Sequence, residues 1–110
     1  MNFSSDARQE SPFACNMLAL DVEQRKGHEV LVHSLRDWQL EIRELPNGYA
    51  LRFSNDAKMI RNLAEFIANE RLCCPFFDFE LKLERENGPL WLGITGREGV
   101  KPFILMEFGF

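Results

Sequence analysis

Two Asn-Gly pairs, Asn47-Gly48 and Asn87-Gly88, each sit between runs in which apolar and polar residues alternate, and a helical pattern follows each second run. Leu40 and Ile42 alternate with Glu41 and Arg43, and Tyr49, Leu51 and Phe53 alternate with Ala50 and Arg52. Strict alternation gives a strand with one apolar face, and Asn-Gly accepts the positive φ angles that tight hairpins use. Further on, Phe77, Phe79, Leu81 and Leu83 alternate with Asp78, Glu80, Lys82 and Glu84, and Leu90, Leu92 and Ile94 resume beyond the second Asn-Gly. The spacing therefore predicts two hairpin–helix units in tandem. A sheet apolar on one face must be covered there by helices. The expected fold is a two-layer α+β domain: a four-stranded, mainly antiparallel sheet from two ββα units, with an additional N-terminal helix. Its charged face is free to stay wet or to meet a second copy as a homodimer.

Helix signals fill the remaining chain. Asp21-Val22-Glu23-Gln24 has the form of a capping box, and a helix beginning there places His28, Leu31, Val32 and Leu35 on one face. Gly27 weakens that helix by about 1 kcal/mol relative to alanine. A second helix is expected from Asn55-Asp56 to about Leu72, with Lys58, Asn62, Glu65 and Asn69 wet and Ile60, Leu63, Ala64 and Ile67 facing a core. Pro75 must end it, which leaves Cys73-Cys74 in or just past its last turn. A short final helix is expected from Thr95 or Gly96, carrying Val100, Phe103, Ile104 and Met106, with Pro102 in its first turn. Residues 1–14 read as a loose polar arm and residues 15–110 as one domain. Phe108-Gly109-Phe110 is an apolar tail able to dock on the body or on a neighbouring chain.

Charge and hydropathy narrow the function classes. The 110 residues carry 13 Lys and Arg against 17 Asp and Glu, a formal charge of −4, with no basic cluster to attract nucleic acid. No apolar run is long enough to span a bilayer, and the first residues lack a charged-then-apolar secretion signal. The expectation is a cytoplasmic protein with neither a membrane nor a nucleic acid as partner.

In a reducing compartment, three cysteines are a poor basis for a disulfide framework. Cys73 and Cys74 are also too close in sequence to bridge each other without distorting the peptide. Adjacent thiols do present soft donors to Zn(II), Cu(I), Hg(II) or As(III). Glu70, three residues before Cys73 and four before Cys74, lies on the same helical side and is placed to act as a hard ligand or proton acceptor. Cys15, if folding brings it alongside, completes a three-thiolate site. The candidate ligand set is thus Cys15, Cys73, Cys74 and Glu70, with a metal such as zinc or a small thiol-reactive ligand as its occupant. A helix C-terminus disfavours a thiolate, as does Glu70, while Arg71 opposes them, so a spontaneously reactive thiol is not expected. Two other readings stand beside this one: buried cysteines that merely pack, and a thiol redox protein or enzyme using Cys73 or Cys74 with Cys15 as resolving thiol.

Other residues add less. His28 and His33 fall on different helix faces, so a joint site is not expected, although His28 is free to approach Cys15 in the fold. Asp78, Glu80 and Glu84 read as a solvated strand face, and Trp38, Trp91 and Tyr49 as packing or the lining of a pocket. No metalloprotease, hydrolase-elbow, P-loop or dinucleotide-binding motif is present.

The stretch from Leu63 through Glu70-Arg71-Leu72-Cys73-Cys74-Pro75-Phe76-Phe77 to Leu81 resembles a signature of uncharacterised small bacterial proteins. Gly88-Pro89-Leu90-Trp91-Leu92 with Thr95-Gly96-Arg97-Glu98-Gly99-Val100-Lys101, and Cys15 with Gln24-Arg25 and His28, match that pattern too. A similar Glu-Arg-x-Cys-Cys-Pro-Phe element lies at the C-terminal end of some MerR-type heavy-metal-responsive regulators. The resemblance implies metal or metalloid handling by Cys15, Cys73 and Cys74. The basic helix-turn-helix of those regulators has no counterpart here, so their DNA binding does not carry over.

Overall fold

A computed structural model of the chain describes residues 10–109. Its elements run α1 (Val22–Trp38), β1 (Glu41–Leu45), β2 (Gly48–Phe53), α2 (Ala57–Cys73), β3 (Asp78–Leu83), β4 (Leu90–Thr95) and α3 (Val100–Phe108). A 3₁₀ turn at Met17–Ala19 precedes α1. The expected α+β architecture is the observed one: four strands in the order β1-β2-β4-β3, every neighbouring pair antiparallel. The second strands of the two hairpins therefore lie side by side at the centre. Their register sets Tyr49 opposite Ile94, Leu51 opposite Leu92 and Phe53 opposite Leu90, and all six are buried. The three helices cover this face. On the other, Arg52, Trp91, Glu80 and Lys82 alternate with the buried set, and the Arg43 guanidinium lies 4.4 Å from the Trp91 ring centre.

Local chemistry explains the boundaries. Asp21 caps α1 through a complete capping box: its carboxylate accepts from Gln24 N–H at 2.8 Å, and the Gln24 amide oxygen accepts from Asp21 N–H at 3.0 Å. Asp56 caps α2 by accepting from Met59 N–H at 2.8 Å. The buried stripe of α2 is Leu63, Phe66, Glu70 and Cys73. Ala64, expected in the core, is exposed, because the helix is rotated to point Phe66 and Glu70 inward. α3 starts later than expected: Gly99, at φ 93°, precedes its first residue, and Pro102 falls in the first turn. Met106 is exposed rather than buried, and Phe108 takes the inward position.

The hairpin turns also differ from expectation. Gly48 is not at positive φ; the loop is Pro46-Asn47, and glycine is required at 48 because a Cβ there would lie 2.0 Å from the Ile94 carbonyl oxygen. In the β3–β4 loop the positive-φ residues are Glu86 and Asn87, not Gly88. The Asn55 amide pins that turn by donating to the Asn87 and Gly88 carbonyls at 2.8 and 2.7 Å.

Of the expected N-terminal arm, residues 1–9 lie outside the described residues, as does Phe110 of the apolar tail. Residues 10–14 run along the body. Phe13 packs against Phe76 and Phe103, the Arg97 guanidinium lies 4.1 Å from its ring centre, and Arg97 pairs with Glu10 at 3.0 Å. Among the described residues, no helix is long and apolar enough to cross a membrane.

Candidate functional site

Cys73 is the last residue of α2 and Cys74 its cap, with the Cys74 N–H donating to the Glu70 carbonyl at 2.7 Å. Pro75 prevents a further turn, and Phe76 and Phe77 carry the chain straight into the core. Both cysteines are consequently sealed, at 0% exposure. The segment before the 3₁₀ turn is tied to this helix end, because Asn16 N–H donates to the Cys73 carbonyl at 2.7 Å. That bond carries Cys15 to Cys74, and the two form a disulfide with their Cα atoms 4.7 Å apart.

This disulfide overturns the expectation drawn from the odd cysteine count. Cys15 and Cys74 are 59 residues apart, so only the folded chain brings them together. Cys74 pairs with the distant cysteine and not with its neighbour, leaving Cys73 as the free, buried thiol.

The four candidate ligands fall in two adjoining groups, Cys73 with Glu70 and His28, and Cys15 with Cys74 and Glu107. The Cys73 sulfur lies 4.0 Å from that of Cys74, and its S–H faces the Glu70 carboxylate at 3.5 Å and the Glu70 carbonyl at 3.6 Å. Glu70 is itself only 1% exposed and is held by His28 of α1, whose Nε2 lies 2.6 Å from Oε1. The imidazole is fixed in turn by stacking on Phe66, with ring centres 5.7 Å apart. His28 thus meets Glu70 and Cys73, not Cys15 as the sequence left open. From α3, the Glu107 carboxylate comes within 4.8 Å of the Cys15 and Cys74 sulfurs. Cys15 and Glu107 are half-buried, which puts the route from solvent on their side of the cluster.

Glu107 was not foreseen. Its signal was present, as the one acidic residue within the apolar run Phe103-Ile104-Leu105-Met106-Glu107-Phe108, but nothing local says what such a residue faces. His28 carried the helical spacing to Leu35 that marked it as inward-facing, yet its partner arrives from α2.

The electrostatics are set by burial and by negative charge. Burial pushes the Cys73 thiol up to about 12, helped by the charge and hydrogen bond of the Glu70 carboxylate and, more weakly, by Glu107. Glu107 is raised by burial and then by Glu70, with His28 pulling the other way. Among the described residues, three buried side-chain atoms have no hydrogen-bond partner, Arg25 Nε, His28 Nδ1 and Glu70 Oε2, and the last two belong to this cluster. Buried polar atoms are normally satisfied, so two orphans side by side set this cluster apart from the rest of the core.

The other hollows do not compete. One of about 440 Å³ beside Pro46, Asn47, Arg97 and Lys101 has its cations already engaged, Arg97 by Glu10 and Lys101 by Glu44 at 2.5 Å and the Leu45 carbonyl at 2.8 Å. Trp38 lines a separate hollow of about 180 Å³, while Tyr49 and Trp91 alternate onto opposite sheet faces, so the three aromatic residues form no common pocket. No family model, curated protein or solved structure matches this chain.

Proposed function

We propose that this chain is a binding module for a soft metal or metalloid, taking its ligand through the thiols of Cys15, Cys73 and Cys74 once the Cys15–Cys74 bond is reduced. A reducing compartment such as the cytoplasm suits that requirement. The observation that carries the reading is the run of sulfurs from Cys15 through Cys74 to Cys73, the last of which faces the buried Glu70–His28 pair. Soft thiolates select soft ions, and a bound cation deprotonates thiols that are otherwise held protonated. Glu70 accepts the Cys73 proton or serves as a harder ligand, and His28 orients it in the way outer-shell partners orient metal ligands.

Titration of the reduced chain with Hg(II), As(III) and Zn(II), against a variant with all three cysteines changed to serine, tests this. Uptake is expected only in the parent chain, and equal uptake by both proteins refutes the site.

The disulfide itself favours a second reading, thiol–disulfide exchange with Cys73 as the attacking group. A thiol held near 12 is mostly unreactive at neutral pH, which ranks this second. Rapid alkylation of Cys73 near neutral pH would reverse the ranking.

A further inference from the structure

Resting on that reading of the cluster, we infer that the ligand is a trivalent oxyacid of arsenic or antimony, bound as a neutral tris-thiolate, and not a divalent ion. Charge decides between them. A divalent ion on three thiolates carries one net negative charge. Here that charge would sit against Glu70, which is 1% exposed, and within reach of Glu107, with the His28 imidazole as the basic group in contact with Glu70. An uncompensated charge so far from water is strongly disfavoured. A trivalent centre on the same three sulfurs is neutral and asks nothing of its surroundings.

Shape agrees with charge. A linear divalent bis-thiolate is also neutral, but it needs two sulfurs on opposite sides of the ion and leaves the third idle. Here Cys15 and Cys74 are bonded and Cys73 is 4.0 Å from Cys74. With Cys73 and Cys74 adjacent in the chain and Cys15 held to that helix end through Asn16, opening the bridge leaves three thiols able to close on one pyramidal centre, its lone pair directed away from the sulfurs. The orphaned Glu70 Oε2 is an independent pointer, since it is a buried acceptor suited to the hydroxyl groups of an incoming oxyacid.

The chemistry balances without change of oxidation state. Three S–H groups and As(OH)₃ give As(SR)₃ and three waters: three As–S bonds form, three As–O bonds break, and each thiol proton leaves in water. Glu70 Oε1, which already accepts from the Cys73 S–H, is placed to pass that proton to a departing hydroxyl. Beforehand the Cys15–Cys74 bond must be reduced, either by a dithiol, which gives two electrons and two protons and closes to its disulfide, or by a phosphine, which gives two electrons while one water supplies the two protons and the oxygen of the phosphine oxide.

The test uses the whole chain, reduced with a phosphine and freed of it, titrated near neutral pH in weak buffer with arsenite and separately with Zn(II) and Hg(II). Expected are one As(III) per chain with sulfur-to-arsenic absorption in the near ultraviolet, no net proton release, and no uptake by the oxidised chain. Loss of the third tether removes an intramolecular bond, so Cys15→Ser should weaken arsenite binding about a hundredfold. Circular dichroism checks that this variant, altered at the half-buried position, keeps its fold under the same reducing conditions. Zn(II) uptake with proton release and no arsenite uptake overturns this inference but leaves the soft-metal reading standing. Arsenite uptake unchanged in Cys15→Ser overturns the three-sulfur centre. Failure to bind any of the three ions removes both conclusions.

Discussion

Reduction of the Cys15–Cys74 bond has a thermodynamic size that follows from chain length. The bridge closes a loop across 59 residues of separation, and its removal returns that loop-closure entropy to the unfolded ensemble. For a loop of this length the chain-entropy relation gives about 4 kcal/mol. A domain of this size is expected to have a total stability of about 5–15 kcal/mol, so the reduced chain keeps a small remainder. The midpoint of thermal unfolding should fall by about 10–20 °C. Thermal scans followed by circular dichroism on the oxidised chain, the phosphine-reduced chain and Cys15→Ser measure this, and the last two should agree. A ligand present at about 100 times its dissociation constant adds about 2.7 kcal/mol to the reduced form. Arsenite should therefore recover more than half of the lost stability, and only in the reduced parent. Coincident melting of oxidised and reduced chains would show that the bridge does not constrain the native protein, and the entropy argument would fail.

Alkaline stability depends on Cys73. The native thiol holds its proton up to about 12 against an ordinary 9.0, so its stabilising contribution is complete below pH 9 and is lost as pH rises towards 12. Cys73→Ala should flatten that part of the pH profile in urea titrations. His28→Ala strips Glu70 of its buried partner and should cost about 3–5 kcal/mol in the same assay, whereas a loss under 1 kcal/mol would mean the pair is not buried as described. Gly48→Ala drives a methyl into the Ile94 carbonyl, and the expected outcome is loss of the β2–β4 pairing, seen as lost amide protection in hydrogen exchange. Asp21→Ala removes the α1 cap and should lower stability by about 1 kcal/mol, with the far-ultraviolet spectrum retained.

The sequence was most legible where structure follows from local periodicity. Alternation in Tyr49, Leu51 and Phe53 and in Leu90, Leu92 and Ile94 specifies strands with one apolar face, and the capping box at Asp21 specifies where α1 starts. The pairing of β2 with β4 was not legible, because all four expected strands carry an apolar face and any two of them could adjoin. What the sequence hid was rotation and long-range approach. Ala64 and Ile67 fit a helical face as well as Phe66 and Glu70 do, and only packing of α2 against α1 and the sheet chooses between them. The candidate ligands Cys15, Cys73, Cys74 and Glu70 were named from chemistry alone. Their convergence depends on the Asn16 bond to the Cys73 carbonyl, a backbone contact that leaves no mark in composition. For the same reason the bridge to Cys74 was not foreseen, and Glu107 had no partner until α3 folded back across the cluster.

Among the described residues, the sheet order leaves β1 and β3 with one unpaired side each, a template on which another strand can zip. β1 carries Glu41 flanked by Arg43 and Arg52 at 2.9 and 3.1 Å, and β3 presents Asp78, Glu80 and Lys82 outward. A stranger's backbone approaching either rim must strip water from these charged side chains before it gains a ladder bond. Charge on both rims thus works against edge-to-edge growth in a small domain with two open borders, most of all when its sulfur staple is open.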